Sequence, residues 1–212
     1  MAGAAVRGLT DELLTRVDAA TDRFLLGITG PPGAGKSTLA AALSEALAER
    51  RGDGFAVVAP LDGFHLPNRV LDARGLRAVK GAPETFDVQG FVRLLRQVRR
   101  NPAGTILWPA FDRRLDEPTP EAITISATAQ LVITEGNYLL LDRPCWREVR
   151  SLLDDVWYVD APRELLRQRL IERQRAGGRS EDDAVSHVDG SDLPNATLVE
   201  ATRALADRTI RG

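Results

Sequence analysis

The segment RFLLGITGPPGAGKSTLAAALSEAL, residues 23–47, constrains the fold more than any other part of the chain. An apolar run bounded by glycine (23–29) has the form of a buried parallel strand. Leu39, Leu43 and Leu47 then recur every four residues, the mark of an amphipathic helix over 37–50. Between strand and helix, Gly30, Gly35, Lys36 and Ser37 satisfy the spacing G-x-x-x-x-G-K-[ST]. Glycines in such a turn, Gly33 among them, let backbone N–H groups such as that of Ala34 point inward around phosphate oxygens. The helix start adds the positive end of its dipole. Lys36 is placed to reach the β- and γ-phosphates of a nucleotide, Ser37 to ligate Mg²⁺ and Thr38 to cap nearby.

Further along, strands are expected at 55–60, 104–108, 122–126, 130–135 and 154–160. Helices are expected at 10–20, capped by Thr10 or Asp11, and at 88–100, 145–153, 162–176, 180–187 and 194–206. Residues 66–87, rich in Gly, Pro and Arg, form an irregular excursion. Strands alternating with helices predict an α/β fold, a parallel-sheet P-loop architecture in three layers. No internal repeat or linker interrupts it, so a single domain over 1–212 is expected.

Composition excludes several function classes. Cations number 28 and acids 30, a formal charge of −2, so general nucleic-acid affinity is not expected. One cysteine, Cys145, rules out an internal disulfide framework and a cysteine zinc cluster. No apolar run approaches the roughly 20 residues of a membrane span, and MAGAAVRGLTDELL has no apolar signal stretch before its acids. A cytoplasmic chain without membrane contact is expected. Only two lysines occur, Lys36 and Lys80. None of Asn68, Asn101, Asn137 and Asn195 is followed by lysine, which removes the N-K-x-D guanine motif of GTPase switches.

Two carboxylates fall where strands end. In VVAPLDGFHLPN (57–68), Asp62 lies just past the second strand. Asp-Gly is also an ordinary turn pair. With a phosphate loop after the first strand, however, ligands gather at the carboxyl edge of the sheet, where Asp62 emerges. A kinase needs a carboxylate there to take the proton of the attacking hydroxyl. In LVITEGNYLLL (131–141), Glu135 reaches the same edge, suited to holding Mg²⁺ through water or binding an acceptor.

These segments, in this order, resemble the uridine kinase, pantothenate kinase and phosphoribulokinase group of P-loop kinases. LDGFHLPN looks like the group's D-G-F or D-S-F segment, which implies Asp62 as catalytic base. KGAPETFD (80–87) is similar to a segment of bacterial pantothenate kinases and implies Lys80 as an acceptor contact. WPAFDRRLDEP (108–118) resembles the acceptor-contacting P-x-Y-[DS] segment. Asp112 there matches the uridine kinase pattern, in which an acid binds sugar hydroxyls. RELLRQRLIERQRAGGR (163–179) is similar to the group's arginine lid, implying roles for Arg169, Arg173 and, after a Gly-Gly hinge, Arg179, in a lid around 169–180. Asn195 is expected to flank the adenine. His65 is equally suited to binding the acceptor and to a structural place beside Phe64.

The expected activity is transfer of the γ-phosphoryl group of ATP, with Mg²⁺, to a hydroxyl of a nucleoside, a pantothenate-like molecule or a sugar. The alternative is a P-loop ATPase whose nucleotide state regulates a partner protein. The group often forms dimers, so a homodimer is an expectation without an interface signature behind it.

Overall fold

The computed structural model describes residues 3–100 and 104–212. In chain order, α1 (Gly3–Ala19), β1 (Phe24–Thr29), α2 (Lys36–Arg51) and β2 (Ala56–Val58) lead to a 3₁₀ turn at Leu61–Phe64. Next come α3 (Asn68–Ala73), α4 (Val88–Arg100), β3 (Ile106–Asp112), β4 (Glu117–Ile125) and β5 (Leu131–Glu135). The remainder is α5 (Arg147–Ser151), β6 (Asp155–Asp160), α6 (Arg163–Ala176), α7 (Glu181–His187), α8 (Leu193–Glu200) and β7 (Arg208–Arg211).

Five strands form a parallel sheet in the order β2-β5-β1-β6-β7. Every residue of β1 and β5 is buried, as strands covered on both faces require. Alternation along the strands sends side chains to two separate cores. Leu25, Val132 and Val156 join Phe91 and Leu95 of α4 and Val149 of α5 on one face. Leu26, Ile28 and Ile133 meet the leucines of α2 and Leu13 of α1 on the other. A 16-residue helix alone is marginal in water, and burial of Leu39, Leu43 and Leu47, each worth about 1.5–3 kcal/mol, fixes α2 to the sheet. The result is the three-layer α/β fold expected.

Several boundaries differ from expectation. α1 starts at Gly3, and Thr10 is no cap: it lies buried inside the helix, its hydroxyl donating to Val6 O at 2.8 Å. The strands expected at 104–108 and 122–126 are longer and pair with each other as an antiparallel hairpin outside the main sheet. The stretch 66–87 contains α3 and two 3₁₀ turns. The last helix stops at Glu200, and β7 adds an edge strand whose single buried residue, Ile210, is too little pattern to read from sequence. Among the described residues, no helix is long and apolar enough to cross a membrane.

Candidate active site

The phosphate loop is fixed against the neighbouring strand. Gly30 has φ 145°, and a Cβ there would sit 2.3 Å from Val159 O of β6, so only glycine fits. The loop then feeds straight into α2, with Gly35 in the left-handed region and no side chain capping the helix. Its first amide groups are left for an anion. Lys36 is buried, and its ammonium donates to Pro31 O at 2.9 Å across the loop. Burial pulls the Lys36 ammonium down to about 8, against the opposing pull of Glu135 and Asp62; the charges of Arg173 and Arg113 lower it further.

Both carboxylates reach this loop from strand ends. Glu135 closes β5 and is buried; its Oε1 accepts the Ser37 hydroxyl at 2.9 Å. Burial and the charge of Asp62 push the Glu135 carboxyl above its usual range, while Lys36 and the Ser37 hydrogen bond hold it back. Asp62 stands in the 3₁₀ turn after β2. That turn is pinned from the hairpin side: the buried Trp108 indole N–H donates to Pro60 O at 2.9 Å. A Cβ on Gly63 would lie 2.2 Å from Pro109 O. Glycine in the Asp-Gly pair therefore serves close packing of the turn under β3, and Asp62 lines the cleft. Its Oδ2 accepts from the Arg113 guanidinium at 3.1 Å.

Beyond Asp62 the cleft has an aromatic wall. His65 stacks on Phe86 with centroids 4.0 Å apart and lies 4.9 Å from Phe111. Burial pushes the imidazole down to about 4, so it is neutral at pH 7, and its buried Nδ1 has no hydrogen-bond partner among the described residues. Lys80 donates to Asn68 Oδ1 at 2.7 Å, pairs with Asp116 at 2.9 Å and sits 5.0 Å from the Phe111 ring centre. Asp112 is not brought into the cleft. Its carboxylate accepts the backbone N–H groups of Arg114 and Leu115 at 2.8 and 3.1 Å, capping the hairpin turn. The same turn gives Arg113, Arg114 and Asp116 to the cleft instead.

At the opposite end, Arg169 of α6 donates to Gly33 O at 3.2 Å. Arg173 faces Asp192 at 3.8 Å, and Gln174 donates to Asp192 Oδ2 at 3.2 Å. A π-helical turn at Val188–Asp192 presents Asp192, and α8 presents Asn195, to the same space as Arg179. All these groups share one cleft of about 1250 Å³. Of the residues expected from sequence, Asp112 is absent from its lining and Gly30 sits behind the loop; the others border it. Arg113 and Asp192 were not expected. The paired arginines at 113–114 and the D-x-x-D spacing of 189–192 are the sequence traces they leave.

The family model of the methylmalonyl-CoA mutase-associated GTPase MeaB matches residues 3–63. That span holds the phosphate loop and ends one residue past Asp62, before the aromatic wall, β5 and α6. The uncharacterized protein YggC of Escherichia coli is 43% identical over 178 residues, covering 84% of this chain and 73% of YggC. A candidate uridine kinase of Schizosaccharomyces pombe is 34% identical over 191 residues, covering 87% of this chain and 81% of its own. The crystal structure of a candidate fructose transport system kinase from Silicibacter sp. TM1040 superposes with a TM-score of 0.88 at 40% identity, over 97% of this chain and 98% of that one. With likeness running through the aromatic wall and α6 as well as the phosphate loop, the chain belongs to the uridine kinase, pantothenate kinase and phosphoribulokinase group of P-loop kinases and is an ATP-dependent kinase.

Proposed function

We propose that this kinase moves the γ-phosphoryl group of ATP to a hydroxyl of a small molecule in the cytoplasm, with Asp62 taking the proton. One observation carries the proposal: the buried Lys36 of the phosphate loop lies in the fields of both Glu135 and Asp62, three distant segments converging on one cleft. The acceptor oxygen bonds the γ-phosphorus as the bond to the β–γ bridging oxygen breaks. The hydroxyl proton passes to Asp62 and ADP leaves. Asp62 is paired with Arg113 beforehand, so an entering hydroxyl exchanges that partner. Lys36, Arg169 and Arg173 neutralise charge developing on the phosphoryl oxygens, and Arg179 approaches from a lid around 169–180 of a single domain over 1–212. Gly30, Gly33, Ala34, Gly35, Ser37 and Thr38 receive the phosphates, with Asn195 toward the base. His65 and Lys80 contact the acceptor.

The donors present suit Mg²⁺: a serine hydroxyl and a buried carboxylate already meet, both hard oxygen ligands. Ser37 and Glu135 would hold the ion, and when bound it offsets phosphate charge and orients the transferred group.

The test is ADP release with Mg-ATP across nucleosides, pantothenate and small sugars, comparing wild type with Asp62→Asn. Stimulation by one acceptor, reduced about 10²–10⁴-fold in the variant at unchanged ATP affinity, is the expected result. Wild-type turnover in Asp62→Asn would remove Asp62 from the mechanism. Equal slow hydrolysis with every acceptor would instead favour a regulatory ATPase.

A further inference from the structure

Among the described residues, the carboxylates that line the cleft are Asp62, Asp116, Glu135 and Asp192. Asp62 and Glu135 act on Lys36, and Asp116 pairs with Lys80 and Arg77. Asp192 stands instead at the nucleotide end, with Arg173 and Arg179, where the phosphates of ATP would meet it as a like charge. His187 borders the same end, but burial holds its imidazole below the usual range, so it offers Asp192 no cation at neutral pH.

The backbone is adjusted to place this acid. Ala184, Val188, Leu193, Ala196 and Val199 form the buried stripe of the helical run from α7 to α8. Steps of three or four residues join them, except from Val188 to Leu193, where the π turn makes a step of five. In an uninterrupted α-helix the residue four after Val188 would follow it into the core, and that residue is Asp192. The extra residue gives the core place to Leu193 and turns Asp192 toward α6. There its carboxylate, only 14% exposed, meets two neighbouring side chains. Gln174 Nε2 donates to Oδ2 at 3.2 Å, and the Arg173 guanidinium stands 3.8 Å from Oδ1. Arg173 lines the cleft, and its charge reaches the buried Lys36 of the phosphate loop.

A free arginine side chain has about 2 kcal/mol of rotamer entropy to lose when a ligand fixes it, and a carboxylate that fixes it beforehand removes part of that cost. We propose that Asp192 is a positioning residue: it holds the Arg173 guanidinium at the phosphate loop, ready for the γ-phosphate of ATP. This rests on the kinase reaction above and adds to it a carboxylate that works through an arginine rather than on the substrate.

Calorimetry with a non-hydrolysable Mg-ATP analogue and with Mg-ADP, on wild type, Asp192→Asn, Arg173→Gln and the double variant, tests this. If Asp192 contributed only its charge, removing it beside a polyanion would tighten binding of both nucleotides. Positioning predicts the opposite sign. Asp192→Asn weakens the analogue about 10-fold more than it weakens ADP, and the double variant binds the analogue no more weakly than Arg173→Gln alone. Tighter or unchanged binding by Asp192→Asn, equal weakening of both nucleotides, or losses that add in the double variant each overturn the inference and leave the kinase reaction standing. Arg173→Gln with the wild-type preference for the analogue removes Arg173 from the γ-phosphate, and the inference with it. Failure of wild type to bind either nucleotide overturns the kinase reaction as well.

Discussion

His65 makes the protein acid-sensitive by an amount that can be worked out. Its imidazole titrates near 4 in the folded chain because burial against Phe86 penalises the cation more than Asp62 rewards it. The ordinary value of 6.5 applies once the chain unfolds. Between those values the unfolded state binds the proton and the folded state does not, so stability is complete above pH 6.5 and falls as pH drops toward 4. At 1.36 kcal/mol per pH unit of difference, the loss reaches about 2 kcal/mol at pH 5 and about 3 kcal/mol below pH 4. His65→Phe keeps an aromatic ring on Phe86 and deletes the titration. Urea unfolding of both proteins at pH 7.5 and pH 5 isolates the effect, since every other titrating group is common to the pair. The wild type should lose about 2 kcal/mol more than the variant, a midpoint difference near 1 M urea for an m-value of about 2 kcal/mol/M. Equal acid sensitivity in the two proteins would show that the folded imidazole accepts its proton at an ordinary pH, and the argument from burial would fall.

Gly63→Ala forces a methyl group against Pro109 O, displacing the Asp62 turn; turnover should fall about 10²-fold with nucleotide affinity retained, and wild-type kcat would refute the packing account. Trp108→Phe strands the Pro60 carbonyl and should cost about 1–2 kcal/mol in urea unfolding, a cost that a Leu107→Ala control on the exposed face of β3 lacks. Lys36 loses its charge as pH rises through about 8, so nucleotide affinity measured by calorimetry should decline from pH 7 to pH 9, while Lys36→Arg should give a flat profile.

What could be read from the sequence was set by local spacing. The phosphate loop and α2 are contiguous, so glycine positions and a leucine period sufficed to place Gly30, Lys36 and Ser37. Asp62 and Glu135 were legible because each follows an apolar strand directly, and the parallel sheet sends both strand ends to one edge. Asp112 was not, because which residue of a turn faces inward depends on hairpin twist and on which backbone amides need a cap. Its carboxylate is spent on Arg114 and Leu115, and Arg113 takes the inward place. The arginine-bearing α6 shows the same limit. Arginines four apart on α6 are visible in the chain, but Asp192, which holds Arg173 and Gln174, comes from a π turn that no hydrophobic period announces.

The strand order has a bearing on how the protein is made. β5 lies between β2 and β1, yet it is synthesised more than 70 residues after β2. Emerging from the ribosome, a chain that ends before residue 131 carries the phosphate loop and Asp62 but lacks the wedge that spaces them. Its β1 and β2 present unpaired edges at that stage, when parallel pairing is slow and exposed edges invite association. The phosphate loop and the Asp62 turn thus reach their final spacing only when β5 inserts, and until then the facing edges of β1 and β2 stay open to pairing with a neighbour.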